Sequence, residues 1–164
     1  RALPLGEIGE VCVRSPSNTQ GYWKLPQATA ATIDADGWLH TGDAGAMDAD
    51  GYVYIQDRIK DMIITGGENV YPAEVESAIY GHPAIAEVAV IGVPSDVWGE
   101  EVKACVVARP GAEVDAEDVI AWARERIAAF KVPKSIAVIP AMPRNASGKI
   151  LRRELRAPYW EGRE

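Results

Sequence analysis

Near the end of the sequence, the stretch PRNASGKILRR (Pro143–Arg153) places Lys149 directly after Gly148, in a turn of small residues that leads into a basic run. A lysine on such a glycine-flanked, mobile segment can reach into a site formed elsewhere and offset negative charge there. Asp43 follows Gly42 in HTGDAG, at what the pattern reads as a strand end. A carboxylate in that place can accept hydrogen bonds from two vicinal hydroxyls, such as those of a ribose. Arg58, fifteen positions on in YIQDRIKD, offers a planar fork to ribose oxygens or a phosphate. Gly66-Gly67 in TGGENVYP allows close backbone approach to a ligand. Each feature also has a plain alternative. Asp43 can cap its own turn, Arg58 can pair at the surface with Asp57 or Asp61, and the glycine pair can be an ordinary strand-to-helix turn. Lys149 can be a solvated side chain at a helix start, where the helix dipole mildly disfavours a cation.

The elements that must position these residues divide into two kinds. Glu7–Arg14 alternates apolar and polar residues, Pro26–Ile33 reads as a short helix, and Asp36-Gly37 and Asp50-Gly51 are hairpin-type turn signals. With Trp38–Thr41, Ala44–Met47 and Tyr52–Gln56 they predict a small antiparallel meander. From about Lys60 the pattern alternates between helix and strand. Met62–Thr65, Glu87–Val93, Val102–Arg109 and Ser135–Ile139 read as strands; Pro72–Tyr80 and Asp115–Phe130 read as helices, the latter capped by Asp115. Lys149–Arg156 reads as a short terminal helix. The fold class is therefore α+β: a β-rich tail of one unit, then a compact α+β domain with a small sheet and covering helices. The short charged junction QDRIKD is either a linker or a pivot.

Composition narrows the classes. A net charge of -7 argues against nucleic acid as a bulk partner, which requires a basic field. No apolar run approaches the ~20 residues that span a bilayer, and no signal peptide is evident. Cys12 and Cys105 read as reduced core residues, and neither His40 nor His82 has a Cys or His at ligand spacing, so no metal site is assigned. Cytoplasmic localisation is the expectation. The first residue is Arg1, which suggests a piece of a longer protein.

Taken together and in order, these stretches resemble the last part of the adenylate-forming superfamily, which comprises acyl-CoA synthetases, firefly luciferase and adenylation domains. The resemblance runs from GEIGEVCVR and GYWKLPQAT through GWLHTGD, YIQDRIKDMIITGGENVYPAEVE and VIGVPSDVWGE to FKVPK and PRNASGKILRR, nearly the whole chain. The loop GGENVYPAEVE is most similar to those of fatty-acyl and aryl CoA ligases.

The resemblance implies roles residue by residue. Asp43 and Arg58 would hold the ATP ribose, Arg58 would also approach the phosphates, and Ile55 would lie near the nucleotide. Lys60 falls on the hinge. Gly66, Gly67 and Glu68 fall on the loop that enters for the thioester step and lines the pantetheine tunnel; Asn69 stands where other members place an assisting polar or basic residue. Lys149 would bridge the carboxylate substrate and ATP during adenylation. The implied domains are residues 1–57 as the end of the large adenylation domain, 58–60 as hinge and 61–164 as the mobile C-terminal domain. The implied reaction joins a carboxylic acid (fatty or aryl), ATP and CoA. The phosphate loop, the acyl pocket and the Mg2+ ligands are absent from this stretch and expected upstream, so the chain alone should be inactive. Two other readings stand: acyl transfer to a carrier protein, and a free-standing, non-catalytic binding domain. A lysine acetyltransferase acting on Lys149 is a further expected partner.

Overall fold

The computed structural model describes residues 2–163 and divides into two compact units, Arg1–Lys60 and Asp61–Glu164. The first is a three-stranded antiparallel sheet in the order β1 (Gly9–Val13), β2 (Leu39–Met47), β3 (Val53–Arg58). A short helix, α1 (Pro26–Thr32), lies between β1 and β2 and starts at a proline, whose missing N–H would have no helical partner there. Both Asp-Gly signals are turns organised by an earlier aspartate. Asp34 Oδ1 accepts from the amides of Asp36 and Trp38 at 3.0 and 2.9 Å, and Asp48 Oδ1 from those of Asp50 and Tyr52 at 3.0 and 2.9 Å. The second turn joins β2 to β3; the first closes only the isolated bridge between Ile33 and Leu39.

One expectation changes here. Asp43 is not at a strand end: β2 continues through it to Met47. Glu10 pairs with Ala44 and Cys12 with His40, so Thr41, Gly42 and Asp43 stand opposite Val11 alone. Gly42, with φ of 73°, supplies the left-handed residue this bulge needs. Of the described hydrophobic residues in this unit, Ala44 is buried, whereas Trp23 is 86% and Ile55 57% exposed.

The second unit has the more extensive core. Its strands are β4 (Ile63–Thr65), β5 (Glu68–Val70), β6 (Ile85–Ser95), β7 (Gly99–Ala108) and β8 (Ser135–Val138); its helices are α2 (Pro72–Tyr80), α3 (Ala116–Arg124) and α4 (Arg152–Trp160). The sheet order is β5-β4-β7-β6, with β8 running parallel beside β7. The twofold period of the strands feeds two cores. Val88 and Val90 of β6 and Val102, Ala104 and Val106 of β7 pack with Val75 and Ile79 of α2 and Val119 and Ala123 of α3. Ala89, Ile91 and Val93 of β6 and Cys105 of β7 pack with Met142, joined by Ile150 and by Leu155 of α4. Each fully buried valine or isoleucine contributes roughly 1.5–3 kcal/mol, so this unit carries most of the hydrophobic stabilisation.

Three elements differ from expectation. Glu68–Val70 is a strand that the sequence pattern did not suggest, so Gly66-Gly67 forms the tip of a β-hairpin rather than a strand-to-helix turn. α3 begins at the expected cap, with Asp115 Oδ1 accepting from Glu117 N at 2.9 Å, but ends at Arg124. Arg126 Nη1 takes the Trp122 carbonyl at 2.7 Å, and the chain turns so that Ile127 still reaches the core. The last helix starts at Arg152, so Lys149 precedes it, and the dipole argument against a lysine at its start lapses.

Candidate functional site

Asp43 and Arg58 are register partners on β2 and β3. Arg58 Nε donates to Asp43 Oδ1 at 2.8 Å, with the carboxylate side chain about a third exposed and the guanidinium about half. Arg58 thus pairs with Asp43. The Asp57 carboxylate accepts from the Arg58 amide at 2.7 Å. The bulge turns the Asp43 amide to Thr41 Oγ1 at 3.1 Å, while Thr41 Oγ1 donates to the Val11 carbonyl at 2.7 Å. A carboxylate and a planar cation are therefore held side by side on open surface, an arrangement suited to a polyhydroxyl or phosphorylated ligand. Ile55 lies on the same strand as Arg58 and is exposed. Lys60 is the last residue of this unit, in a short 3-10 turn, Ile59–Asp61.

In the second unit, Gly66 and Gly67 adopt φ of 59° and 85°. Their environments differ. The Gly66 amide donates to the Trp98 carbonyl at 3.0 Å, and a Cβ on Gly66 would sit 2.9 Å from the Trp98 ring; at Gly67 nothing lies within 4 Å of a Cβ. Gly67 is therefore the outward-facing glycine of the hairpin. Glu68 follows as the first residue of β5, pairs with Thr65, and is exposed with Asn69.

Lys149 occupies a hairpin held more firmly than its sequence suggests. Asn145 Oδ1 accepts from Ser147 N at 3.0 Å, Ser147 Oγ at 2.8 Å and Lys149 N at 2.9 Å. Asn145 N donates to the Lys149 carbonyl at 3.0 Å and Gly148 N to the Asn145 carbonyl at 2.9 Å. Arg144 Nη1 donates to the Gly148 carbonyl at 2.6 Å, and its Nη2 pairs with Glu87 of β6. A turn of small residues reads as mobile in the sequence; here it is a closed, multiply bonded knuckle with the exposed Lys149 on it. Beyond it, α4 is stapled to the sheet by two glutamates. Glu76 accepts from the Val90 amide at 2.8 Å and from Arg152 Nη2 at 2.7 Å; Glu100 accepts from the Ile64 amide at 2.9 Å and from Arg156 Nη2 at 3.1 Å. Trp160 Nε1 adds a bond to the Gly92 carbonyl at 3.0 Å.

The sequence reading missed one cluster. Pairing of β1 with β2 brings Glu10, Cys12 and His40 together. His40 Nδ1 lies 2.6 Å from Glu10 Oε2 and 3.6 Å from Cys12 Sγ, and its Nε2 lies 3.6 Å from Asp34 Oδ2. The hydrogen bond to Glu10 pushes the His40 pKa up; burial and the nearby Glu10 and Asp34 carboxylates push the Cys12 thiol up. The 2.6 Å approach of His40 Nδ1 to Glu10 Oε2 is that of a hydrogen-bonded pair. The raised thiol is no activated nucleophile. Residues 10, 12 and 40 are too distant in sequence for spacing rules, and only strand register joins them.

Residues 74–149 match the family described as AMP-binding enzyme C-terminal domain. A fatty acid–[acyl-carrier-protein] ligase, ScoC, of Streptomyces coeruleorubidus is 52% identical over 98% of this chain and 31% of its own length. A feruloyl-CoA synthase from Amycolatopsis is 50% identical over 96% of this chain and 32% of its own length. Among solved structures, ATP-bound MatB from Rhodopseudomonas palustris superposes with a TM-score of 0.88 at 43% identity, covering 96% of this chain and 31% of that one. The chain spans about a third of the length of the curated relatives it matches. Residues 74–149 thus match an AMP-binding enzyme C-terminal domain, and nearly the whole chain is similar to about a third of enzymes named as acyl ligases and CoA synthases.

Proposed function

We propose that this chain is the C-terminal part of an AMP-forming acid–thiol ligase, inactive by itself, in a longer protein that activates a carboxylic acid with ATP and transfers the acyl group to CoA. What supports this reading most is identity of 50% or more over nearly the whole chain to enzymes named for acyl activation. The exposed apolar residues of the first unit, Trp23 and Ile55 among them, also fit a unit that packs against further protein.

In this proposal residues 1–57 are the end of the large domain, 58–60 the hinge and 61–164 the mobile domain. Asp43 accepts from the ribose hydroxyls, and Arg58, pre-oriented beside it, holds ribose and phosphate oxygens, with Ile55 against the nucleotide. Lys149 places its ammonium between the attacking carboxylate and the α-phosphate, where negative charge accumulates as pyrophosphate leaves. For the second step Lys149 withdraws, and the Gly66-Gly67 hairpin with Glu68 lines the pantetheine path. Lys60 absorbs the rotation between the two arrangements. Mg2+ would be held by residues outside this chain. Cytoplasmic localisation belongs to the same proposal. An acetyltransferase acting on Lys149 would silence adenylation by removing the charge and ammonium donors. Exposure of Lys149 leaves it open to such a reaction.

A second reading is acyl transfer to a carrier protein, favoured by the name of one relative at 52% identity. An acceptor assay of the full-length protein, with adenylate formed in place and CoA or a pantetheinylated carrier supplied, decides between the two. Absence of acid-dependent pyrophosphate exchange in the full-length protein would overturn both.

A further inference from the structure

Arg144 bridges two elements that nothing else in the turn connects in the same way. Its Nη1 donates to the carbonyl of Gly148, the residue immediately before Lys149, at 2.6 Å, and its Nη2 pairs with Glu87 on β6. The bonds to Asn145 close the turn on itself but are internal to it. They fix the shape of the hairpin and leave its tilt on the sheet undetermined. The Arg144 pair is one of the contacts that set that tilt, beside the buried Met142 before the turn and Arg152, bonded to Glu76, after it. Ile150, which pairs with Arg144 across the hairpin, packs against the core formed by Ala89, Ile91, Cys105 and Met142. The Arg144 guanidinium ties the turn to Glu87. An isolated, half-exposed ion pair contributes little to stability, and Arg144 and Glu87 are both more than a third exposed. The planar fork, however, joins a strand of the sheet to a backbone carbonyl one residue from the ammonium, so its effect is on direction.

We propose that Arg144, held by Glu87, is a positioning residue for Lys149: it locks the lysine-bearing hairpin to the sheet, so that the ammonium travels with the whole second unit and not by flexing of its own turn. This inference rests on the proposed role of Lys149 in adenylation. A lysine at position 144 carries a point charge and cannot hold both acceptors with the fixed geometry of the fork. Displacing a reacting group by about 1 Å costs on the order of a hundredfold in rate.

The test uses the full-length protein and follows both half-reactions. Arg144→Ala should slow acid-dependent pyrophosphate exchange by about ten- to a hundredfold through kcat, with the KM for ATP unchanged. Thioester formation from a supplied acyl-adenylate should keep its wild-type rate. Arg144→Lys should recover part of the loss, Glu87→Ala should resemble Arg144→Ala, and Glu87→Gln, which keeps an acceptor, should be milder. Amide hydrogen exchange at Gly148 and Lys149 should quicken in Arg144→Ala while that of β6 and β7 stays unchanged. Lys149→Ala is assayed beside them. If Lys149→Ala cripples adenylation and Arg144→Ala does not, the positioning inference is overturned. Equal loss in both half-reactions by Arg144→Ala, with a lowered melting temperature, would make it a stability residue and also overturn it. If Lys149→Ala itself spares adenylation, the proposed function fails; unchanged exchange at Gly148 and Lys149 in Arg144→Ala would then independently refute the locking of the hairpin.

Discussion

Asp43 and Arg58 meet as register partners on neighbouring strands, with Arg58 Nε 2.8 Å from Asp43 Oδ1. The pair is set by the β-bulge at Gly42, which inserts two extra residues on β2 opposite Val11 and directs Asp43 toward β3. A cation that orients a carboxylate before a ligand arrives lowers the ordering cost of binding.

The first prediction follows from this pair. In the full-length protein, adenylation should discriminate against 2′-deoxy-ATP, because one hydroxyl partner of Asp43 is missing. Asp43→Ala should weaken ATP usage by about ten- to a hundredfold, the worth of hydrogen bonds to a charged group, and abolish that discrimination. Full discrimination retained in Asp43→Ala would refute the assignment.

A second prediction concerns the glycine pair. Gly66→Ala forces a Cβ to within 2.9 Å of the Trp98 ring at a positive φ, whereas at Gly67 a Cβ meets nothing within 4 Å. Gly66→Ala should therefore lower thermal stability more than Gly67→Ala, which bears only the roughly 1–2 kcal/mol left-handed penalty. Denaturant melts of the two variants check the order; the reverse order contradicts the packing described.

The third concerns the staple of α4. Glu76→Ala removes the acceptor of the buried Val90 amide and the partner of Arg152 together. A loss of about 2 kcal/mol or more is expected, because an unsatisfied buried donor carries its full desolvation cost. Glu76→Gln, which keeps the acceptor, should lose less. Urea unfolding followed by tryptophan fluorescence measures both.

The fourth is a pH dependence. The hydrogen bond to Glu10 raises the folded pKa of His40, so its contribution to the first unit is fully present below about pH 6.5, where free histidine is already protonated. It is lost as pH rises through the higher folded value. Amide exchange in β1 and β2 should therefore accelerate as pH climbs past neutrality, after correction for intrinsic exchange, and His40→Gln should flatten that trend. A trend of opposite sign, with protection lost on acidification through pH 6, would contradict it.

Much of this was legible in the sequence because the signals are local. Pro72 at a helix start, Asp115 as a cap and the β-branched alternation of β6 and β7 depend on neighbours a few residues away. What failed depends on pairing. β5 is three residues long, Glu68–Val70, and exists because β4 lies beside it. The Glu10–Cys12–His40 cluster is a product of register, to which one-dimensional spacing is blind; hairpin spacing does bring Asp43 and Arg58 to one rim of the meander, but not the ion pair between them. The Lys149 turn misled in another way. Small residues signal flexibility by composition, yet an asparagine at its start supplies the acceptor that closes it.

In the proposed function, Lys149 and the Gly66-Gly67 hairpin serve different half-reactions of one enzyme. The most direct measurement is a paired assay of the full-length protein: acid-dependent pyrophosphate exchange, and thioester formation from a supplied acyl-adenylate, for Lys149→Ala and Gly67→Leu. The account predicts that Lys149→Ala loses about a hundred- to a thousandfold in the first and little in the second. Gly67→Leu should do the reverse by filling the space open at that position. Equal losses in both half-reactions for both variants would contradict it.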